Sequence, residues 1–231
     1  MAVALLLLTF LTFAVIDLLI GWRQKPRIAA AKAPAMPPTT AAVPAAPFLQ
    51  PAFVDGFAVP EEYRYHHGHS WVYRERKNVA RVGVDEFGAA IAGRIDGIEL
   101  PKPGQWLRQG QKAWSFLKDG ARVEMVSPAE GEVVEVNQEV LKNPSLLRSD
   151  PYGKGWLLSV YVPDEESTTR NLLPKSMVPA WVRESVERLY ALQPQLAGAA
   201  AADGGRPAED LLEGIPNADW STTASDFFLT R

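Results

Sequence analysis

Between Tyr63 and Val162 apolar residues fall at alternate positions of short runs, and turn residues separate the runs. That pattern allows half-buried strands and excludes long helices. Trp71-Val72-Tyr73 and Val79-Ala80-Arg81-Val82-Gly83-Val84 read as strands about a turn at Lys77-Asn78. Residues Asp85 to Ala92 read as a helical turn capped by Asp85, and Gly93 to Leu100 as a return to strand. Pro101, Pro103 and Gly104 form a turn. Gln111 to Leu117 and Ala121 to Val126 then make a hairpin about Asp119-Gly120, a dipeptide that tolerates positive φ at both turn positions. Gly131 to Val136 is another strand, Asn143-Pro144 opens a short helix with Asn143 as its cap, and Gly155 to Val162 closes the set. Many short strands and few helices predict two small packed sheets or a flattened barrel, with the Val, Trp and Leu positions in the core.

The rest of the 231-residue chain reads as appendages. Ala2 to Gly21 is nearly uninterrupted apolar sequence, long enough to cross a hydrocarbon core of about 30 Å as a helix. A secretory signal peptide is the rival reading, but no Lys or Arg precedes the apolar run. A retained anchor over residues 1–22 is therefore expected, with Trp22 at the headgroup level. Arg23, Lys25, Arg27 and Lys32 follow it, so the positive-inside rule puts the globular part in the cytoplasm. Asp17 lies about one turn from that basic end, where it is either interfacial or a helix-pairing carboxylate. Residues 23–60 are rich in Ala and Pro and are expected to form an extended, semi-rigid spacer. The formal net charge of −3 argues against a nucleic-acid surface. With no cysteine, disulfides, thiolate metal sites and a cysteine nucleophile are excluded.

Five pieces of the β region carry a family resemblance. They are His69-Ser70-Trp71-Val72; Val79 to Val84; Ile98-Glu99-Leu100-Pro101-Lys102-Pro103-Gly104 with Gly110; Ser127-Pro128-Ala129-Glu130-Gly131-Glu132-Val133-Val134-Glu135-Val136-Asn137; and Asn143-Pro144 with Asp150-Pro151-Tyr152-Gly153-Lys154-Gly155-Trp156-Leu157-Leu158. In that order they resemble the H protein of the glycine cleavage system, a lipoyl carrier. The resemblance implies a mainly β barrel-sandwich hybrid of the lipoyl/biotinyl type with short helices over residues 61–192; the N-terminal transmembrane helix is expected from the apolar run alone. The resemblance also implies that the chain is not itself an enzyme.

At the carrier position the resemblance fails. In the family the acceptor lysine follows a Gly-Asp-like turn by ten residues and precedes Ser-Pro by seven. Counting forward from Gly110 and back from Ser127 both arrive at Gly120. The family's Glu-Ser-Val-Lys-Ala-Ala stands here as Leu117-Lys118-Asp119-Gly120-Ala121-Arg122. Lys118 is the nearest lysine, but alternation along a strand turns its side chain to the flank of the hairpin. No cofactor is expected on this reading, and lipoate would require attachment at Lys118. His66, His67 and His69 invite a metal reading, but they would need Asp or Glu ligands from elsewhere, and His69 is matched by the family's His-Glu-Trp text. No nucleophile–base–acid arrangement or phosphate-binding loop is visible.

Pro179 to Leu192 fits an amphipathic helix with Val182, Val186 and Leu189 on one face. Residues 193–231 read as a flexible tail, although Trp220 and Phe227-Phe228-Leu229 give its end the means either to dock on the domain or to recognise a partner. Three functions follow. The first is a membrane-tethered, unlipoylated H-protein-like module that binds a protein partner. The second is a lipoyl carrier of glycine cleavage modified at Lys118. The third is a lipoyl-like adaptor of an envelope complex.

Overall fold

The computed structural model describes residues 52–192, 210–212 and 219–230. The expected anchor over Ala2 to Gly21, most of the spacer and much of the tail lie outside the described residues. Among the described residues no helix is long and apolar enough to cross a membrane.

The strands are β1 (Ala52–Val54), β2 (Phe57–Val59), β3 (Arg64–His66), β4 (Ser70–Arg76), β5 (Val79–Val84), β6 (Gly97–Glu99), β7 (Trp106–Leu107), β8 (Lys112–Lys118), β9 (Ala121–Val126), β10 (Gly131–Val136) and β11 (Leu158–Tyr161). All pairings are antiparallel. One sheet has six strands in the order β3-β4-β5-β11-β10-β7, a second has three in the order β6-β8-β9, and β1 and β2 form a separate pair. The helices are α1 (Glu86–Ala92), α2 (Gln138–Lys142), α3 (Leu146–Ser149), α4 (Glu165–Arg170), α5 (Val178–Leu192) and α6 (Trp220–Phe227). Val82, Leu158 and Val160 of the large sheet and Phe116, Val123 and Met125 of the small one are buried in a shared core. This is the mainly β architecture with short helices that the alternation predicted.

Local chemistry explains most element ends. Asp85 caps α1, its carboxylate accepting from the Gly88 amide at 2.6 Å. Asn137 caps α2 and donates to the carbonyls of Lys154 and Trp156 at 2.8 and 2.7 Å, so one side chain joins a helix start to the loop before β11. Trp71 lies over Gly83, its partner in the β4–β5 register, where a Cβ would collide with the indole. The Trp71 ring nitrogen donates to the Val84 carbonyl at 2.9 Å.

Four expectations need correction. The spacer does not continue to Pro60: β1 and β2 form a hairpin from Ala52, and it buries Val54, Phe57 and Val59. Phe57 meets the Phe87 ring edge-on at 5.1 Å, an apolar gain that outweighs the Ala and Pro content of the preceding stretch. Gly93 to Leu100 is strand only over Gly97–Glu99. Asn143 ends α2 rather than starting the next helix, because its amide closes on the Glu139 carbonyl; Ser145 precedes α3. The tail is not loose throughout, since α6 packs against β9 and α1. Its docking comes from Phe227 and Phe228, both buried. Of the two readings of the chain end, docking describes Trp220 to Phe228, whereas Leu229 is exposed.

Candidate functional site

The β8–β9 hairpin is built as its sequence dictates. Lys118 pairs with Ala121, and between them Asp119 and Gly120 have φ of 50° and 77°. Positive φ at both positions is what a two-residue hairpin turn requires. The Asp119 amide donates to the Asp96 carboxylate at 2.7 Å, and the Asp96 amide donates to the Leu117 carbonyl at 2.7 Å. Gly120 is the second turn residue, with nothing within 4 Å of where a Cβ would stand. The position that the resemblance gives to the acceptor is thus an open tip with no side chain.

Lys118 is not a solvated charge. Residues two apart on a strand share a face, so Lys118 lies on the side of Phe116, which is fully buried. The C-terminal segment covers that face. Phe228 meets Phe116 edge-on at 6.1 Å, and the Thr230 hydroxyl donates to the Glu124 carbonyl at 3.0 Å. The Lys118 ammonium donates to the Asp210 carboxylate at 2.8 Å; these side chains are only 16% and 4% exposed. The Trp220 ring lies 5.9 Å from the same ammonium, and its ring nitrogen donates to the Ala92 carbonyl at 3.1 Å. Asp210 also accepts from the Arg94 amide at 3.1 Å. Its carboxylate occupies the space a Cβ of Gly93 would need, and Gly93 has φ of 66°. Any acylation of Lys118 must first take its amine from a buried carboxylate, and breaking such a pair is costly.

The sequence reading missed one cluster. His69 Nδ1 lies 3.0 Å from the Asp85 carboxylate, and Nε2 lies 3.1 Å from the Ser185 hydroxyl. The order Asp–His–Ser is that of a hydrolytic triad. All three are buried, and His69 is stacked on Trp181 at 4.5 Å and tilted against Phe87 at 4.6 Å. Ser185 also lies 3.0 Å from the Trp181 carbonyl, so its single hydroxyl proton serves that carbonyl or the imidazole. Cut off from substrate, the cluster bolts α5 onto the β domain. Spacing could not reveal it, because residues 69 and 185 meet only in the fold. Among the described residues no group of three or more His, Asp or Glu is placed to hold a metal. Burial, with the nearby His67 and His69, lowers the His66 pKa to about 4.

A model of the glycine cleavage H-protein family matches residues 63–184. The chain belongs to that family. It is 33% identical over 117 residues to the glycine cleavage system H protein of Carboxydothermus hydrogenoformans, covering 51% of this chain and 89% of the relative. To the H protein of Thermobifida fusca it is 37% identical over 108 residues, or 47% and 85% of the two chains. A crystal structure of an H protein from Mycobacterium marinum superposes with a TM-score of 0.47 at 24% identity, covering 55% of this chain and 99% of that one. Within this H-protein domain, the stretch Asp150 to Trp156 forms a tight loop. The Asp150 carboxylate accepts from the amides of Gly153 and Lys154 at 3.1 and 2.8 Å. The half-buried Tyr152 donates from its hydroxyl to the Ala58 carbonyl at 2.8 Å, tying the loop to β2.

Proposed function

We propose that this H-protein-family domain carries no lipoyl arm and works as a protein-binding module, held at a membrane through Ala2 to Gly21 with the domain on the cytoplasmic side. The observation that carries the reading is the hairpin tip. Gly120 offers no group to acylate, and the one lysine beside it is held by Asp210 beneath the C-terminal segment. A carrier needs an arm that swings between partners. This hairpin has an ordinary turn at its end and a buried ion pair at its flank. Without a swinging arm, what the domain offers a partner is surface. The membrane tether is supported by the apolar run and by the basic residues that follow it.

An anti-lipoate immunoblot of the protein from its native cells, beside Lys118→Ala, tests the first part. Silence in both samples is expected. A band that disappears with Lys118→Ala refutes the reading. A C-terminal reporter fusion active only outside the cytoplasm would overturn the orientation.

The second reading is a working carrier of glycine cleavage lipoylated at Lys118, and family membership over residues 63–184 favours it. It requires the Lys118–Asp210 pair to open during modification and to stay open afterwards. Hydrogen exchange of residues 219–230 then has to show frequent release of that segment from β9.

A further inference from the structure

The C-terminal segment fills a groove. Helix α6 sets Trp220, Ala224 and Phe227 at i, i+4 and i+7, with Phe228 next in the chain. Ala224, Phe227 and Phe228 are buried, and Trp220 is partly buried. That spacing is how an amphipathic helix lays one face into a groove. One wall is α1. Its Phe87 meets the Phe227 ring edge-on at 5.4 Å. The Ala90 carbonyl accepts from the Leu211 amide, and the Ala92 carbonyl from the Trp220 ring nitrogen, both at 3.1 Å. These carbonyls stand at the C-terminal end of α1, where the helix itself supplies no further donors. The other wall is the β8–β9 hairpin, with Phe116 against Phe228 and the Glu124 carbonyl bonded by Thr230. At the floor, a Cβ on Gly68 would come within 3.0 Å of the Phe228 carbonyl, so the fit is close.

Groove and occupant have different origins. Gly68, Phe87, Ala90, Ala92, Phe116 and Glu124 all lie within residues 63–184, the span that matches the family, whereas α6 lies beyond it. The family domain makes the groove, and appended chain fills it. Helix α6 has eight residues, with Ser221, Thr222, Thr223 and Ser225 among them. So short and polar a segment does not hold a helix by itself; the groove imposes one. The ion pair between Lys118 and Asp210 adds little to retention. When the segment leaves, both charges return to water, and a buried pair gains little over its hydrated ions. The hold therefore comes from the aromatic anchors, and a foreign helix with the same anchors supplies it equally well.

We propose that the groove between α1 and the β8–β9 hairpin is the partner site of this domain, and that α6 is its occupant in the resting chain. The partner displaces α6 with an amphipathic helix of the same chemistry. That helix carries Trp, a small residue and a Phe pair at the spacing of Trp220, Ala224 and Phe227-Phe228, with a carboxylate upstream for Lys118. The inference rests on the protein-binding reading and names the site and the partner. The two fail separately. Lipoate at Lys118 would end the non-carrier account and leave the apolar walls of Phe87 and Phe116 in place. A groove that accepts no foreign helix would leave the hairpin unmodified and move the partner to another surface.

Hydrogen exchange of the full-length chain in mild detergent, with an added peptide, tests it. The peptide keeps the Asp, Trp, Ala and Phe pair of residues 210, 220, 224, 227 and 228 at their spacing and has Glu, Lys and Gln elsewhere, so it stands for a foreign helix. Tethering gives the chain's own helix an effective concentration on the order of 1 mM. Peptide at about 5 mM should therefore speed exchange in residues 219–230 about tenfold while β9 stays protected. The same peptide with both Phe replaced by Ser should do nothing. Trp220→Ala weakens only the chain's own helix and should lower the half-displacing concentration about tenfold. If Trp220→Ala releases the segment outright, the peptide should instead restore protection to β9. Unchanged exchange in residues 219–230, loss of protection in β9 together with them, equal action of the Ser peptide, or no response of Trp220→Ala to the peptide overturns the proposal.

Discussion

Two hairpins in this molecule have the same turn and different surroundings. In the first, Asp55 and Gly56 have φ of 48° and 87° between Val54 and Phe57; in the second, Asp119 and Gly120 have 50° and 77° between Lys118 and Ala121. The first closes a short strand pair whose apolar residues enter the core. The second stands where the family resemblance expects a lysine bearing a swinging arm. The two turns are chemically equivalent, and on the proposed reading the acceptor tip is an ordinary hairpin end. What distinguishes the second hairpin is the C-terminal segment over its flank, anchored by Asp210, Trp220 and Phe228.

The largest test removes that anchor. Phe228→Ala deletes a fully buried ring and should cost about 3–5 kcal/mol, read by thermal or urea unfolding. It should also speed hydrogen exchange in β9 while leaving β1–β2 protected. A cost well under about 1 kcal/mol would mean that the segment does not hold the hairpin.

Asp210→Ala comes next. It strands the Lys118 ammonium and the Arg94 amide, at a cost of about 3 kcal/mol. Lys118 should then react with an amine-acylating reagent much faster than in the unaltered chain, as peptide mass mapping would show. Equal rates would mean that the ion pair does not shield the lysine.

Acid gives a smaller effect on the same side of the molecule. Gly68, next to His67, approaches the Phe228 carbonyl, and its neighbour His66 has its pKa lowered from 6.5 to about 4. The unfolded chain therefore takes up a proton as pH falls below about 6.5, while the folded chain does so only near 4. Stability should fall across that window, by on the order of 2 kcal/mol after allowance for solvent screening. His66→Gln should flatten the dependence in unfolding curves recorded from pH 7 to pH 4; an unchanged slope would exclude His66 as its source.

How far the chain could be read from its residues follows from the range of each interaction. The β8–β9 turn was legible because Asp-Gly between two alternating runs is a local signal. Gly120 was legible as the acceptor position by counting from Gly110 and Ser127. The β1–β2 hairpin was hidden by the Pro- and Ala-rich stretch before it, because it forms through contact with the distant Phe87. The Lys118–Asp210 pair and the His69–Asp85–Ser185 cluster join residues about a hundred positions apart, and no periodicity foretells such pairings.

The smallest structural change sharpens the hairpin comparison most. Gly120→Lys and Gly56→Lys each force a side chain into a left-handed turn position and should cost about 1–2 kcal/mol alike. With lipoate ligase, only Gly120→Lys should gain an arm. If both or neither become modified, the tip is not a vacated acceptor site.

The intact mass of the protein purified from its native cells tests the central claim most directly, with fragment masses covering Lys118 to Arg122. The account predicts an unmodified hairpin peptide in every molecule. A lipoyl or octanoyl increment on Lys118 would contradict it.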